Sequence, residues 1–132
     1  MNENEIGAIV IDTAVAIHRE LGPGLLETVY EIVFAYELKK QGLEVKRQFP
    51  IPIRYKSIQF EEGFRADIVV EEKVILEIKS IVAVTKVHKK QLLTYLRLSD
   101  YKLGYLLNFG DVLMKRGISR IVNGLPEEKI EI

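Results

Sequence analysis

"FRADIVVEEKVILEIKS", residues 64–80, is the stretch whose reading decides the fold. It reads as two apolar strands joined by a short charged turn, yet Asp67 stands inside the first strand and Glu77 and Lys79 inside the second. Side chains alternate faces along a strand. Glu77 and Lys79 therefore share one face, and Leu76 and Ile78 the other. On the preceding strand the same alternation groups Arg65, Asp67 and Val69 against Phe64, Ala66, Ile68 and Val70. The hairpin register then decides whether the charges meet. A three-residue loop, Glu71-Glu72-Lys73, pairs Val70 with Val74 and sets Asp67 opposite Glu77, whereas a two-residue loop turns Asp67 to the wrong face. The stretch lacks the Asn-Gly or Asp-Gly of a two-residue hairpin, although it also lacks a glycine for a left-handed position in a longer one.

In the three-residue register two carboxylates face each other about 5 Å apart. They repel, and one pKa rises unless something cationic lies between them. Lys79 offers one positive charge and a divalent metal would offer more. Magnesium takes oxygen ligands, typically one or two carboxylates, and keeps its other positions for water and phosphate. The competing reading is a solvated strand face with ordinary ion pairs that contribute little. Residue types alone favour that second reading.

Working outward, Ile6, Ile9, Val10, Thr13, Ile17 and Leu21 recur at helical spacing, which predicts an amphipathic helix over 5–21. "LGPG" breaks it, and a second helix is expected from Leu25 to Gln41, ended by Gly42. "LEVKRQFPIPIRYKSIQF" reads as one or two strands, kept near a sheet edge by Pro50 and Pro52. Beyond the hairpin, "TKVHKKQLLTYLRLS" is a helix with Val87, Leu92, Leu96 and Leu98 as its apolar side. "YKLGYLLNFG" is a buried strand ending in a turn, and "VLMKRGISRIVNG" a final strand or short helix. The order α-α-β-β-β-α-β predicts an α+β (α/β) fold, a mixed sheet flanked by helices, in one domain over residues 1–132. The tail "PEEKIEI" reads as loosely attached.

Composition narrows the function classes. An apolar fraction of 48% is enough to fill one core, which argues against disorder. No apolar run approaches the roughly 18 residues of a membrane span, and "MNENEIGAIV" lacks a signal peptide's basic region. Without cysteine, disulfides and thiolate zinc sites are excluded, and a cytoplasmic protein is the simplest expectation. Nineteen basic and nineteen acidic residues cancel, which weighs against a protein that coats DNA non-specifically but leaves room for a local basic face.

Asp67 followed by Glu77-Ile78-Lys79 resembles the D…ExK signature of the PD-(D/E)XK nuclease superfamily. "GLLETVY", Gly24 to Tyr30, is similar to the G-x-x-E-x-x-Y motif that names the GxxExxY protein family. "QLLTY", Gln91 to Tyr95, resembles the Q-x-x-x-Y motif of the RecB-like branch. The resemblance runs in order from about Ile6 through "IVNGL"; Ala66 stands where the superfamily's name records a proline. It implies a restriction-endonuclease-like α-β-β-β-α-β core and magnesium-dependent cleavage of phosphodiester bonds in DNA or RNA, with manganese as a substitute. Asp67 and Glu77 would bind one or two ions with the backbone carbonyl of Ile78, and Glu27 would complete the site. Lys79 would position or polarise the attacking water and steady the developing charge.

Supporting residues fall around these. Glu27 and Tyr30 are helix neighbours, as are Gln91 and Tyr95, with His88 three residues before Gln91. Gln91 suits holding the attacking water, a metal-bound water or the substrate backbone, and Tyr95 a phosphate or the lysine. Tyr30 and Arg65 complete the substrate-binding candidates, Tyr30 also reading as a packing residue and Arg65 as a structural ion pair. By residue type alone Glu27 is a helix-start acid favoured by the dipole, and His18 and His88 are helix-surface residues. Lys86, Lys89 and Lys90 offer a local patch for a nucleic-acid backbone. A homodimer would suit cleavage of two strands, though no residue pattern points to one. The rival function is a non-catalytic nuclease-like module that binds nucleic acid or a protein.

Overall fold

The computed structural model describes residues 1–125. Its elements are α1 (Glu3–Leu21), α2 (Glu27–Lys40), β1 (Val45–Tyr55), β2 (Ile58–Val70), β3 (Val74–Lys79), α3 (Lys86–Ser99), β4 (Leu103–Asn108), α4 (Met114–Gly117) and β5 (Ile118–Val122). The five strands lie side by side in sequence order. All neighbours are antiparallel except β3 and β4, which run parallel and are joined through α3. The expected mixed sheet with flanking helices is thus present. "VLMKRGISRIVNG" supplies both a helical turn and a strand, while "PEEKIEI" lies outside the described residues. No helix among the described residues is long and apolar enough to cross a membrane.

Two apolar layers hold the sheet. Ile6, Val10 and Ile17 of α1 and Tyr30, Phe34 and Leu38 of α2 pack with Ile68, Val70, Leu76, Ile78 and Leu107 on one face. Leu92 and Leu96 of α3 pack with Ile51, Ala66, Val69, Ile75 and Leu106 on the other. The helical spacing predicted for α1 is what buries it, and Asn2 starts the helix with a capping box, its side chain accepting from Glu5 N at 2.8 Å. Gly42 ends α2 with φ 90°, the left-handed conformation glycine adopts without strain.

Three expectations need correction. First, α3 does not bury Val87 or Leu98, which are exposed; its inner face is Leu92 and Leu96, with Tyr95 half-buried beside them. Second, the hairpin's first strand does not begin near Phe64. It is the end of a 13-residue strand that starts at Ile58 after a turn at Lys56-Ser57. Third, face alternation fails at Asp67. Phe64 and Ala66 pack with Val69 on the α3 side, while Ile68 and Val70 face α1 and α2. Directly across the ladder, Gln48 of the edge strand β1 takes φ 48° and, like Asp67, is unpaired in the β1–β2 register. A left-handed conformation costs a non-glycine residue about 1–2 kcal/mol, and here it falls beside the charges.

Candidate active site

The hairpin register is the predicted one. Val70 pairs with Val74, Val69 with Ile75 and Ile68 with Leu76, and the ladder ends there, one residue before Asp67 and Glu77 would pair. The loop achieves this without glycine, since Glu71 and Glu72 both take φ 54°. Other bonds hold them there. Glu71 N–H donates to Glu44 O and its carboxylate accepts from Glu44 N, each at 2.9 Å.

Beyond Ile68 the two strands part, and Asp67 fills the fork. Its Oδ2 accepts the Ile78 N–H at 2.8 Å, replacing the ladder bond that β2 no longer supplies. A strand residue's N–H and C=O point to the same side. The Ile78 carbonyl therefore also faces the fork. Asp67 Oδ1 receives only a long 3.4 Å bond from Gln48 Nε2, the same amide that donates to Glu31 Oε1 at 2.7 Å.

Glu77 stands apart from every other acid in the described chain. Its Oε1 is shut away from solvent and has no hydrogen-bond partner. Burial, then the neighbouring Asp67 charge, pushes its carboxyl up to about 8, with Lys79 opposing. It opens into a hollow of about 170 Å³ lined also by Arg65, Lys79, His88, Gln91 and Tyr95. Six residues from β2, β3 and α3 thus converge, four of which the sequence motifs had singled out for chemistry. Burial and the Glu77 charge raise the Tyr95 hydroxyl, keeping it a neutral donor. The ring is held flat against Phe64, centroids 4.0 Å apart. Arg65 is partly committed, its Nε–H donating to Glu62 at 2.9 Å.

Two predicted members are elsewhere. Among the described residues no three acidic or histidine side chains gather to hold a metal, so Glu27 does not close with Asp67 and Glu77. It is the exposed first residue of α2 and lines a separate hollow with Leu26, Ser80 and Val82. Tyr30, expected to touch substrate, is fully buried. Its hydroxyl donates to Gly22 O at 2.5 Å and accepts from Leu25 N at 3.1 Å, and its ring stacks on Phe109. Position on α2 places it in the core, tying down the loop before the helix.

Three more residues belong around the site: Glu31 and Asn108, which the sequence did not single out, and His88, which it read as a helix-surface residue near Gln91. Glu31, one turn beyond Glu27, is the α2 acid that reaches toward Asp67 through Gln48, and it is neutralised by Arg47 at 2.7 Å. His88 lines the hollow, and its Nδ1 accepts the Thr85 N–H at 3.0 Å. That bond leaves the proton of the neutral ring on Nε2. Asn108, buried at the end of β4, straps the loop after Lys79 through Ile81 N and Ile81 O, both at 3.0 Å. A Cβ at Gly110 would lie 2.1 Å from Ile81 O, so only glycine fits where the two loops touch. A signal for His88 existed in its spacing to Gln91; none existed for Glu31 or Asn108, whose partners are distant in sequence.

The donor set fits a hard divalent cation. Asp67 Oδ1 and Glu77 Oε1 lack strong partners, a backbone carbonyl faces the same fork, and Lys79 adds a single charge against two. A carboxylate, a lysine, a guanidinium, an amide and a phenol around one hollow, with Asp67 bonded to the next residue of β3, form a set suited to anionic esters. A family model of the PD-(D/E)XK nuclease superfamily matches residues 4–121, while no curated protein and no solved structure matches the chain. The matched span runs from α1 into β5 and takes in the fork, the hollow and the sheet that carries both, and the chain belongs to the PD-(D/E)XK nuclease superfamily.

Proposed function

We propose that the protein is a magnesium-dependent nuclease that hydrolyses phosphodiester bonds of DNA or RNA, with manganese as a substitute ion. Family membership supports the reaction class, and one observation carries the metal. The Glu77 Oε1 is buried without a partner beside Asp67, an arrangement that a divalent cation would satisfy. In this reading Asp67 and Glu77 hold the ion together with the Ile78 carbonyl. When bound, magnesium supplies Lewis acidity toward the phosphate and the attacking water.

The chain's own groups do the rest. Lys79, beside Glu77 on β3, orients the water and donates to the charge that develops on the phosphate oxygens. Gln91 holds the water or the substrate backbone through its amide. Tyr95 donates to a phosphate oxygen, and Arg65 meets the backbone from the β2 side. Lys86, Lys89 and Lys90 are exposed at the start of α3 and extend that contact along the strand. Neither Glu27 nor Tyr30 is needed for these steps. Assignment to the GxxExxY family and the RecB-like branch rests on "GLLETVY" and "QLLTY".

The test is cleavage of labelled single- and double-stranded DNA and RNA with magnesium or manganese, together with calorimetric titration of each ion. Cleavage is expected, and its loss in Asp67→Asn and Lys79→Ala. Unchanged cleavage in both variants would sink the reading. The separation of Glu27 from the acid pair favours a second reading, a nuclease-like module that binds without cutting. Magnesium-independent binding with no cleavage of any of the four substrates would select it.

A further inference from the structure

His88 lines the hollow with Arg65, Glu77, Lys79, Gln91 and Tyr95, yet none of the steps proposed for cleavage uses it. It is the third residue of α3, with Thr85 as the N-cap, and the Thr85 N–H donates to His88 Nδ1 at 3.0 Å. The Thr85 hydroxyl stands 3.2 Å from the same nitrogen. This is one half of a capping box, the half that glutamate or glutamine ordinarily supplies. A glutamate would accept the same N–H and would also suit the positive end of the helix dipole. Yet α3 has no acid in its first turn, and Lys86 and Lys89 flank His88 there instead. Helix stability alone does not account for an imidazole at this position.

The hollow does account for it. Glu77 is the acid that lines it, with Asp67 near, against the cations Arg65 and Lys79. A glutamate at position 88 would add another negative charge beside Glu77. The imidazole caps the helix without charge and keeps a second nitrogen. Both polar contacts of the ring among the described residues are made at Nδ1, which leaves Nε2 with the proton and without a partner. Placement agrees. β3 and β4 run parallel and α3 joins them, so α3 runs back against β3. Its first turn therefore stands at the end of β3 that carries Lys79. His88 shares one helix face with Gln91 and Tyr95. It is half-buried, whereas residues 85–87, 89 and 90 around it are exposed.

We infer that His88 is a further catalytic residue of this site, its neutral Nε2–H donating to a non-bridging oxygen of the scissile phosphate beside Lys79. Negative charge in phosphoryl transfer is spread over the non-bridging oxygens. A fixed donor aimed where that charge lies lowers the barrier, and it needs no reorganisation because the Thr85 bond already holds the ring. The proton stays on the nitrogen throughout, so His88 is neither the acid nor the base of the reaction. The inference rests on the nuclease reading for its substrate and adds an uncharged donor at the Lys79 end of the hollow.

The experiment compares the full chain with His88→Gln, His88→Glu and His88→Ala. It measures single-turnover cleavage of labelled DNA and RNA with magnesium, magnesium affinity by calorimetry, and thermal melting. Glutamine can accept the Thr85 N–H and still present an amide N–H, glutamate can only accept, and alanine does neither. His88→Gln should cleave within about tenfold of the unsubstituted chain, and His88→Glu and His88→Ala should fall by about 10²-fold. The magnesium affinity of His88→Ala should be unchanged, and His88→Glu should melt no lower than the unsubstituted chain. A pure capping role predicts instead that His88→Glu cleaves normally and only His88→Ala is impaired, and that result overturns the inference. So does a loss confined to His88→Glu, which charge alone explains. So does a fall in the magnesium affinity of His88→Ala that matches its fall in rate, which would make His88 a partner of the metal ligands. If melting shows the alanine variant unfolded, His88→Glu is read at raised salt, where repulsion is screened and a missing donor is not restored. Cleavage that all three variants retain sinks this inference alone. If the unsubstituted chain binds strands in EDTA by fluorescence anisotropy without cleaving them, the catalytic reading falls alone. The phosphate contact then requires His88→Ala to bind about fivefold more weakly, and equal binding overturns it. Neither binding nor cleavage by the unsubstituted chain sinks both.

Discussion

Two glutamates flank Asp67, and they have opposite fates. Glu31 is 5% exposed, yet both its oxygens are satisfied, one by the Arg47 guanidinium at 3.0 and 2.7 Å and the other by Gln48 at 2.7 Å. Glu77 also has a buried oxygen, and that oxygen has no partner. Burying a carboxylate is costly unless it is paired and hydrogen-bonded. The fold meets this cost at Glu31 with its own side chains, and at Glu77 only by keeping a proton beside Asp67. A satisfied acid reads as architecture; an unsatisfied one beside a second carboxylate reads as a place kept for a cation.

The comparison breaks most visibly in catalysis. Asp67→Asn keeps an oxygen for the Ile78 N–H but removes the charge, and Lys79→Ala removes the donor without touching the sheet. Each should lower cleavage by about 10³-fold, the scale of losing a preorganised charged group at the reacting centre, while circular dichroism stays unchanged. Comparable activity would mean the open valence at Glu77 has no chemical use.

The next effect is in pH. The Glu77 carboxyl titrates near 8 in the folded chain and near 4.5 unfolded. Between those values the folded protein holds one more proton. For this group metal-free stability is therefore greatest below about 4.5 and is lost as pH rises through 8. Cation binding has the opposite sign, because the proton must leave first. Magnesium affinity by calorimetry should rise about tenfold per pH unit up to about 8 and then level. Glu77→Gln should bind weakly with a flat profile and should flatten the pH dependence of metal-free melting. A wild-type affinity that is already flat from pH 6 to 8 would place Glu77 in the same class as Glu31.

Glu31 itself supplies the converse test. Glu31→Ala strands Arg47 and Gln48, and losing charge-assisted bonds should destabilise the fold by about 2–3 kcal/mol in urea unfolding. The Arg47 side chain is 36% exposed and regains water, which keeps the cost at that level rather than higher. Glu77→Gln at pH 8 should show no such loss. Equal destabilisation of both would erase the distinction.

Much of this arrangement was legible in the sequence. The charges inside "FRADIVVEEKVILEIKS", and the absence of a two-residue turn signal, already implied the Val70–Val74 register that brings Asp67 near β3, and the motif spacing put Gln91 and Tyr95 on one helix face, which lines the hollow with Glu77. What stayed hidden depended on pairs remote in sequence. Nothing in "KRQFP" announces a left-handed Gln48, whose amide donates to acids 17 and 19 residues away. Nor does local pattern reveal that α2 turns Glu31, rather than Glu27, toward the fork. Val87 and Leu98 fit a helical stripe on paper, but α3 packs on the sheet through Leu92 and Leu96 with Tyr95 beside them, and tertiary contact overrode periodicity.

Tyr30 sharpens the rule with the smallest effect. As the tyrosine of "GLLETVY" it invites a functional role, and it sits next to Glu31 on α2. Its hydroxyl, however, has one acceptor and one donor within the loop before the helix, Gly22 O and Leu25 N. By the logic that separates Glu31 from Glu77 it is architecture. Tyr30→Phe keeps the ring on Phe109 and removes only those two bonds, so melting should report a loss of about 1–2 kcal/mol. Cleavage per folded molecule should stay within about twofold, since a group acting on the reacting atoms would contribute far more. A fall in cleavage approaching that of Lys79→Ala, with the fold intact, would show that a fully bonded side chain in this family still serves the reaction, and satisfaction of hydrogen bonds would no longer divide scaffold from site.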